Sequence, residues 1–344
     1  MDRPPRPRLD RRGLLKAGIA AAALGRPAPA PARAAGAGEL RFVLTWGRRG
    51  DGPGEFYSPI HVAVTARDEV YVADLNNSRI QKFTAEGVHL GGFDLPPDAP
   101  PRRSCIVGGL TVDDRGLVYV SFMNQHRIAV YEDSGVVVRG WGRRGAERGE
   151  FNQPGGMALR RDGTIYVADQ CNHRVQKFAT DGRFLEAWGG HGVEPGRFGG
   201  SDPAGSRFAG PHFLAQDAAG RLYTTEAGLG RVQQLAPDGR PLRSWGDKGD
   251  QPGGFGAFQF GSLSGTYGPI GLAVDRRDRV WVSSLNDRVQ CFTPEGRYLF
   301  GLDAPGPDPG ELDRPHGLAF DARGRLYVAD ASNQRIQVFE IPDP

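Results

Sequence analysis

The chain has 344 residues, with 43 Lys and Arg against 40 Asp and Glu. Its 51 Gly and 27 Pro are spaced rather than massed, and charged residues of both signs are interspersed; this excludes a low-complexity disordered chain and suits many tight turns between short strands. Three cysteines, Cys105, Cys171 and Cys291, are too few and too scattered for a disulfide framework or a zinc motif, and they are expected to be small buried residues.

In chain order, residues 1–34 stand apart from the other 310. A basic start leads into Asp10-Arg11-Arg12-Gly13-Leu14-Leu15-Lys16, then an apolar stretch, then a Pro/Ala run ending in Ala32-Arg33-Ala34. The paired arginines before Leu-Leu-Lys resemble a bacterial twin-arginine export signal, and Ala32-Arg33-Ala34 fits a small-x-small cleavage site. The apolar stretch, Gly13 to Gly25, has 13 residues and contains Lys16, well short of the ~20 needed to cross a bilayer. The expectation is a removed signal at 1–34, a mature domain at 35–344, a periplasmic or extracellular location, and no membrane span. Residues 1–34 hold eight Lys/Arg and two Asp/Glu, leaving 35 basic and 38 acidic residues and a net of −3. That balance excludes a nucleic acid as the expected partner.

The rest of the chain repeats itself. The copies are "VYVAD" (70–74), "VYVSF" (118–122), "IYVAD" (165–169), "LYTTE" (222–226), "VWVSS" (280–284) and "LYVAD" (326–330), separated by 48, 47, 57, 58 and 46 residues. Each unit holds four apolar segments, in the first copy "HVAV" (61–64), "EVYVAD" (69–74), "RIQKF" (79–83) and "VHLGGF" (88–93). Asp-Gly and Glu-Gly turns between β-branched runs mark hairpins, and no stretch sustains a helical period. Each unit reads as a four-stranded antiparallel meander, which must pack against others to bury both faces. The prediction is an all-β fold, a six-bladed β-propeller. The sixth unit lacks a fourth strand, and "ELRFVLTWG" (39–47) is an orphan strand at the other end. It is predicted to complete the sixth blade and remove the open edges.

Within the repeat, Asp74, Asp169 and Asp330 end the second strand, and an Arg five residues on begins the third. The Arg persists as Arg127, Arg231 and Arg288 where the acid becomes Phe122, Glu226 or Ser284. A device repeated around a ring reads as structural, tying the intervening turn. Trp46, Trp141, Trp188 and Trp245, each before Gly, read as blade-packing residues.

These units resemble NHL repeats, above all in "GEFNQPGGMALRRDGTIYVADQCNHRVQKFATDGRFLEAWG" (149–189). The resemblance implies a propeller and leaves function open: such propellers serve as RNA- or protein-binding modules and, in peptidyl-α-hydroxyglycine amidating lyase, as a metal-dependent enzyme. It places chemistry at the mouth of the central channel, where the first strands converge. There one position reads Ile60, Gly108, Gly155, His212, Ile270 and His316. "GPHFLAQD" (210–217) and "RPHGLAFD" (314–321) are similar to the Pro-His openings that hold zinc in the lyase. His212, His316 and His61 are therefore the candidate ligands for Zn or another divalent metal. His61 stands one residue out of register, and alternation along a strand turns it to the opposite face. No catalytic residue is assigned. Two extra segments, 199–210 and 256–268, precede the first strands of blades four and five and bring Phe208, Phe258, Phe260 and Tyr267 as candidate ligand-binding residues. The reading is an exported binding module for a small-molecule, peptide or protein ligand; the alternative is a metal-dependent lyase or hydrolase at the channel mouth.

Overall fold

The computed structural model describes residues 40–97, 106–199, 210–256 and 268–341. They form six four-stranded antiparallel sheets, the blades of a propeller, with helix confined to two single turns. The inner strands are Pro59–Val64, Val107–Val112, Pro154–Leu159, Leu214–Gln216, Pro269–Val274 and Pro315–Phe320. In blades one to five the chain runs outward in sequence order. The sixth blade takes its outer strand from Arg41–Trp46, which pairs antiparallel with Arg335–Glu340, Arg41 opposite Glu340 and Trp46 opposite Ile336.

No blade has a core of its own. Second strands are buried along their length, whereas outer strands carry exposed residues. The apolar residues gather into six clusters, each shared by two neighbouring blades. One joins Ile60, Tyr71 and Ile80 to Val107, Val120 and Tyr131; another joins Tyr327, Ile336 and Val338 of the last blade to Phe56, Val70 and Phe83 of the first. Apolar burial is the main favourable term in folding, so each blade depends on both neighbours.

The tryptophans seat one blade on the next. A Cβ at Gly87 would lie 2.6 Å from the Trp46 ring, and φ there is +85°. Both the close approach and the left-handed backbone require glycine. Trp141, Trp188 and Trp245 sit in the same way against Gly182, Gly239 and Gly296.

The repeated acid is the centre of a buried knot. Asp169 accepts from the Asn152 backbone N–H (2.7 Å), Asn172 (2.9 Å), Arg174 (2.8 Å) and Gln176 (3.0 Å). Arg174 donates onward to the carbonyls of Ala146, Glu147 and Glu150. One side-chain set thus ties the second strand, the third strand and the loop entering the first. Asp74, Glu226 and Asp330 build equivalents with Arg79, Arg231 and Arg335. In blade two the Arg127 guanidinium instead stacks 4.7 Å from the Phe122 ring centre, and in blade five Arg288 pairs with Asp303 at 2.9 Å.

Replacing Asp169 with Ala leaves the partly buried Arg174 guanidinium without its counter-charge and the Asn152 backbone N–H without its acceptor, and should cost about 3 kcal/mol. Arg127→Ala, which removes a cation–π contact, should cost only about 1 kcal/mol. Urea unfolding of the two variants checks this; similar losses in both would show that the acid is not the centre of the knot.

Candidate functional site at the central channel

The inner strands crowd the axis. In five blades a bulge interrupts the pairing at the strand's start, as between Pro59 and His61 or Pro315 and Leu318. Just beyond it, four blades carry glycine: Gly109, Gly156, Gly271 and Gly317. The reason is contact between strands. A Cβ at Gly156 would lie 2.7 Å from the Cα of Phe213, and one at Gly317 would lie 2.9 Å from the Cα of His61.

The remaining two blades place His61 and Phe213 at this level. These blades are opposite each other in the ring, and the two rings stack across the axis with centroids 4.7 Å apart and planes 21° apart. The expectation that His61 faces away from the channel is corrected. The bulge at Ile60 breaks the two-residue alternation, so His61 lines the lumen. Phe213 was not legible as its partner; the signal was the glycine in the other four blades.

His212 lies two residues before the strand Leu214–Gln216, and His316 is the second residue of Pro315–Phe320. His212 is buried, and its Nδ1 is 2.9 Å from Gln170 Nε2; His316 keeps some exposure. Burial lowers the His61 and His212 rings to about 3, helped by charge on His316, and lowers His316 to about 4, helped by Arg314. All three are neutral at neutral pH. The structure thus brings the three candidate ligands into electrostatic contact. The His61 ring is nevertheless stacked on Phe213 and the His212 ring is bonded to Gln170. Among the described residues no group of three His, Cys, Asp or Glu is placed to hold a metal ion, so the residues as placed do not fit a metal centre. Phe208, Phe258, Phe260 and Tyr267 lie outside the described residues.

Hydroxyl groups lock the same region from blade to blade. Ser121 donates to the Gly155 carbonyl (2.7 Å), Thr225 to the Ile270 carbonyl (2.8 Å) and Ser283 to the His316 carbonyl (2.5 Å). Cys291 is buried and its thiol is pushed up to about 12 by that burial; it is no nucleophile.

Beyond the His61–Phe213 stack the channel holds a cavity of about 220 Å³, running along the inner strands to their ends at Val64, Val112 and Phe320. Its lining is Val, Leu, Ala, Gly, Met and Phe with Thr111, and His61 is its one titratable residue among those described. A second cavity of about 330 Å³ lies between blades two and three, lined by Asp113, Arg115, Arg160 and Arg161, and shares Thr111 and Val112 with the first.

Three blades match the family model "NHL repeat", over residues 56–83, 151–178 and 312–339. NHL repeat-containing protein 3 of Mus musculus is 27% identical over 127 residues, 35% of each chain. The chain thus spans about a third of the length of this curated relative. Among solved structures, a Bacteroides thetaiotaomicron protein of unknown function superposes with a TM-score of 0.64 at 16% identity, covering 88% of this chain and 76% of that one. Virginiamycin B lyase of Staphylococcus aureus superposes with a TM-score of 0.53 at 15% identity, covering 89% of this chain and 90% of that one. At such identities the likeness is one of fold.

The buried histidines carry a pH signature. An unfolded histidine titrates near ~6.5. Below that pH the unfolded chain binds protons that the folded one refuses. The stability these rings allow is full above about 6.5 and falls as the pH drops towards their folded values, by roughly 2–3 kcal/mol per ring at pH 4.5. Burial raises the carboxyls of Asp169, Glu226 and Asp330, which act in the opposite sense, so a variant isolates the histidines. Ile60 and Ile270 occupy the same position in two other blades. The double variant His212→Ile/His316→Ile should therefore lose less stability than wild type between pH 7 and 4.5 in urea titrations. Equal losses in both proteins would show that these rings are not held neutral.

Proposed function

We propose that the protein is an exported binding module of the cell envelope whose ligand enters the central channel. The carrying observation is the composition of the cavity under the His61–Phe213 stack. It is bordered by strands from around the ring, yet among the described residues its lining offers no carboxylate, thiol or cation, and its single imidazole is neutral. Such a lining recognises and does not transform. The amidating-lyase reading lacks comparable support, because the histidines do not form a ligand set, and no metal chemistry is derived for them. Export rests on the resemblance of residues 1–34 to a twin-arginine signal.

Two experiments test this reading. Native mass spectrometry of the protein purified from its own compartment should show a small-molecule adduct near one to one, and Thr111→Trp, which narrows the cavity at its outer part, should remove it. An adduct that persists unchanged in that variant would place the ligand elsewhere. Changing Arg11 and Arg12 together to Lys should leave full-length precursor in the cytoplasm, read by fractionation and immunoblot; normal export would defeat the signal reading.

A further inference from the structure

The ring is closed, yet its outer wall is made of open strand edges. In every blade the outermost strand is bonded on one side only. Such an edge is a template for pairing with another chain, and folded proteins guard it with bulges and with charge. The first guard is present throughout. A bulge interrupts each outer strand, as at Val138, where the register slips between Val130 and Tyr131.

The second guard is missing from two blades. In blades three, four and five the residue that closes the last hairpin and leads into the outer strand is Arg183, Arg240 or Arg297. Blade six begins its outer strand with Arg41. In blades one and two the same place is taken by Val88 and Val136, whose carbonyls accept from Thr84 and Glu132 as the arginines' carbonyls accept in their hairpins. Val88 is 61% exposed, and Val136 and Val137 are each 57% exposed. The two valine-bearing edges adjoin. Gly135 sits against Phe93 at the end of blade one's outer strand, and Phe93 stacks on Tyr131 at 5.1 Å. A contiguous apolar strip without its usual charges marks a surface that is covered in use.

Charge at the ends of each edge selects the occupant. Blade one's edge runs from Glu86 to Asp94, acidic at both ends. Blade two's edge runs from Glu132 and Asp133 through three valines to Arg139, acidic at one end and basic at the other. The Asp133 carboxylate is 59% exposed and only loosely held by Lys82 at 3.4 Å. Arg139 is fixed in place by donating to the Thr180 carbonyl at 2.9 Å, a neutral partner that leaves its charge uncompensated. Laid antiparallel against itself, blade two's edge sets acid beside base at both ends, whereas blade one's would set acid beside acid. Opposite charges on facing strands stabilise a pairing and like charges oppose it.

We infer that residues 135–138 on the outer edge of blade two dock a second copy of this chain, antiparallel across a two-fold axis. The valines of the two copies meet, and Glu132 and Asp133 of each lie beside Arg139 of the other. The contact is isologous and therefore closes at two chains. The bulge at Val138 keeps it short, so the dimer is weak and forms only at high local concentration. The inference is independent of what the channel binds.

Sedimentation equilibrium of the protein purified from its own compartment tests this. The average mass should rise from one chain towards two between about 1 µM and about 1 mM, the range of a small interface. Val136→Arg installs the residue that four other blades carry. It should leave the melting temperature unchanged and weaken the dimer at least roughly tenfold, about 1.4 kcal/mol. Leu242→Arg, on the guarded edge of blade four, should leave the dimer as it is. Val137→Cys should form a disulfide-linked dimer under mild oxidation, because a two-fold axis brings this residue close to its own counterpart; Leu242→Cys should not. A mass of one chain at every concentration would overturn the inference, as would a dimer that Val136→Arg does not weaken. Weakening without the Val137→Cys cross-link would overturn the antiparallel arrangement, and a mass climbing past two chains would overturn the closed two-fold. A different polypeptide that co-purifies and is lost in Val136→Arg would assign the edge to a foreign chain and overturn the second copy as its occupant.

Discussion

Six inner strands converging on one axis leave almost no room between them, and that crowding governs the rest of the molecule. Where two strands touch, glycine is needed: a Cβ at Gly109 would lie 2.7 Å from the Gly155 carbonyl, and one at Gly156 would lie 2.7 Å from the Cα of Phe213. The close approach allows a direct bond between blades, the Gly156 N–H donating to the His212 carbonyl at 2.7 Å. It also brings Ser121, Thr225 and Ser283 within reach of the neighbouring blade's carbonyls. With four positions at this level reduced to hydrogen, two side chains fill the axis. Their stack divides the channel into a histidine-bearing end and a lumen with an uncharged lining.

The acid–arginine knots act at a distance from the axis but serve the same geometry. A fully buried carboxylate with a largely buried guanidinium partner is costly to desolvate, and apolar replacements of such pairs are often as stable. Their value here is positional. Asp330 holds the Asp313 backbone N–H at 2.8 Å, and Arg335 holds the carbonyls of Pro307, Asp308 and Glu311. The loop so gripped delivers Pro315 and His316 to the channel. Blades two and five lack the acid, and they still pack, because their apolar clusters are shared with both neighbours. The knot therefore sets where an inner strand begins, and burial between blades supplies the cohesion.

The repeat made the architecture legible. Six copies of one apolar pattern, an orphan strand at one end and a missing strand at the other left few arrangements open. The structural role of Asp74, Asp169 and Asp330 followed from their recurrence, and the tryptophans followed from the glycine beside them. The site was less legible for two physical reasons. Alternation of side chains assumes an unbroken ladder, and the bulge at Ile60 turns His61 back into the lumen. The stack partner Phe213 lies across the ring, far from His61 in sequence, and only ring closure brings them together. The departure of two residues from an otherwise glycine position was the trace the sequence carried. The aromatic residues Phe208, Phe258, Phe260 and Tyr267 fall in segments outside the described residues.

The uncharged lining of the lumen reflects the fold's own electrostatics. A residue on the axis of a crowded ring is cut off from solvent and has no neighbouring side chain of opposite sign to pair with, since the other positions at this level are glycine and Phe213. An arginine or lysine there would stay charged and bear the full desolvation cost. Histidine escapes that cost at neutral pH, because a ring whose pKa falls from ~6.5 to about 3 was already mostly neutral. It is the one strongly polar, titratable side chain the axis accepts almost freely, and it brings a hydrogen-bonding nitrogen with it. The arginines and acids of the blades are accordingly found in knots away from the axis or on the hairpins around the rim, as with Arg115, Arg160 and Arg161.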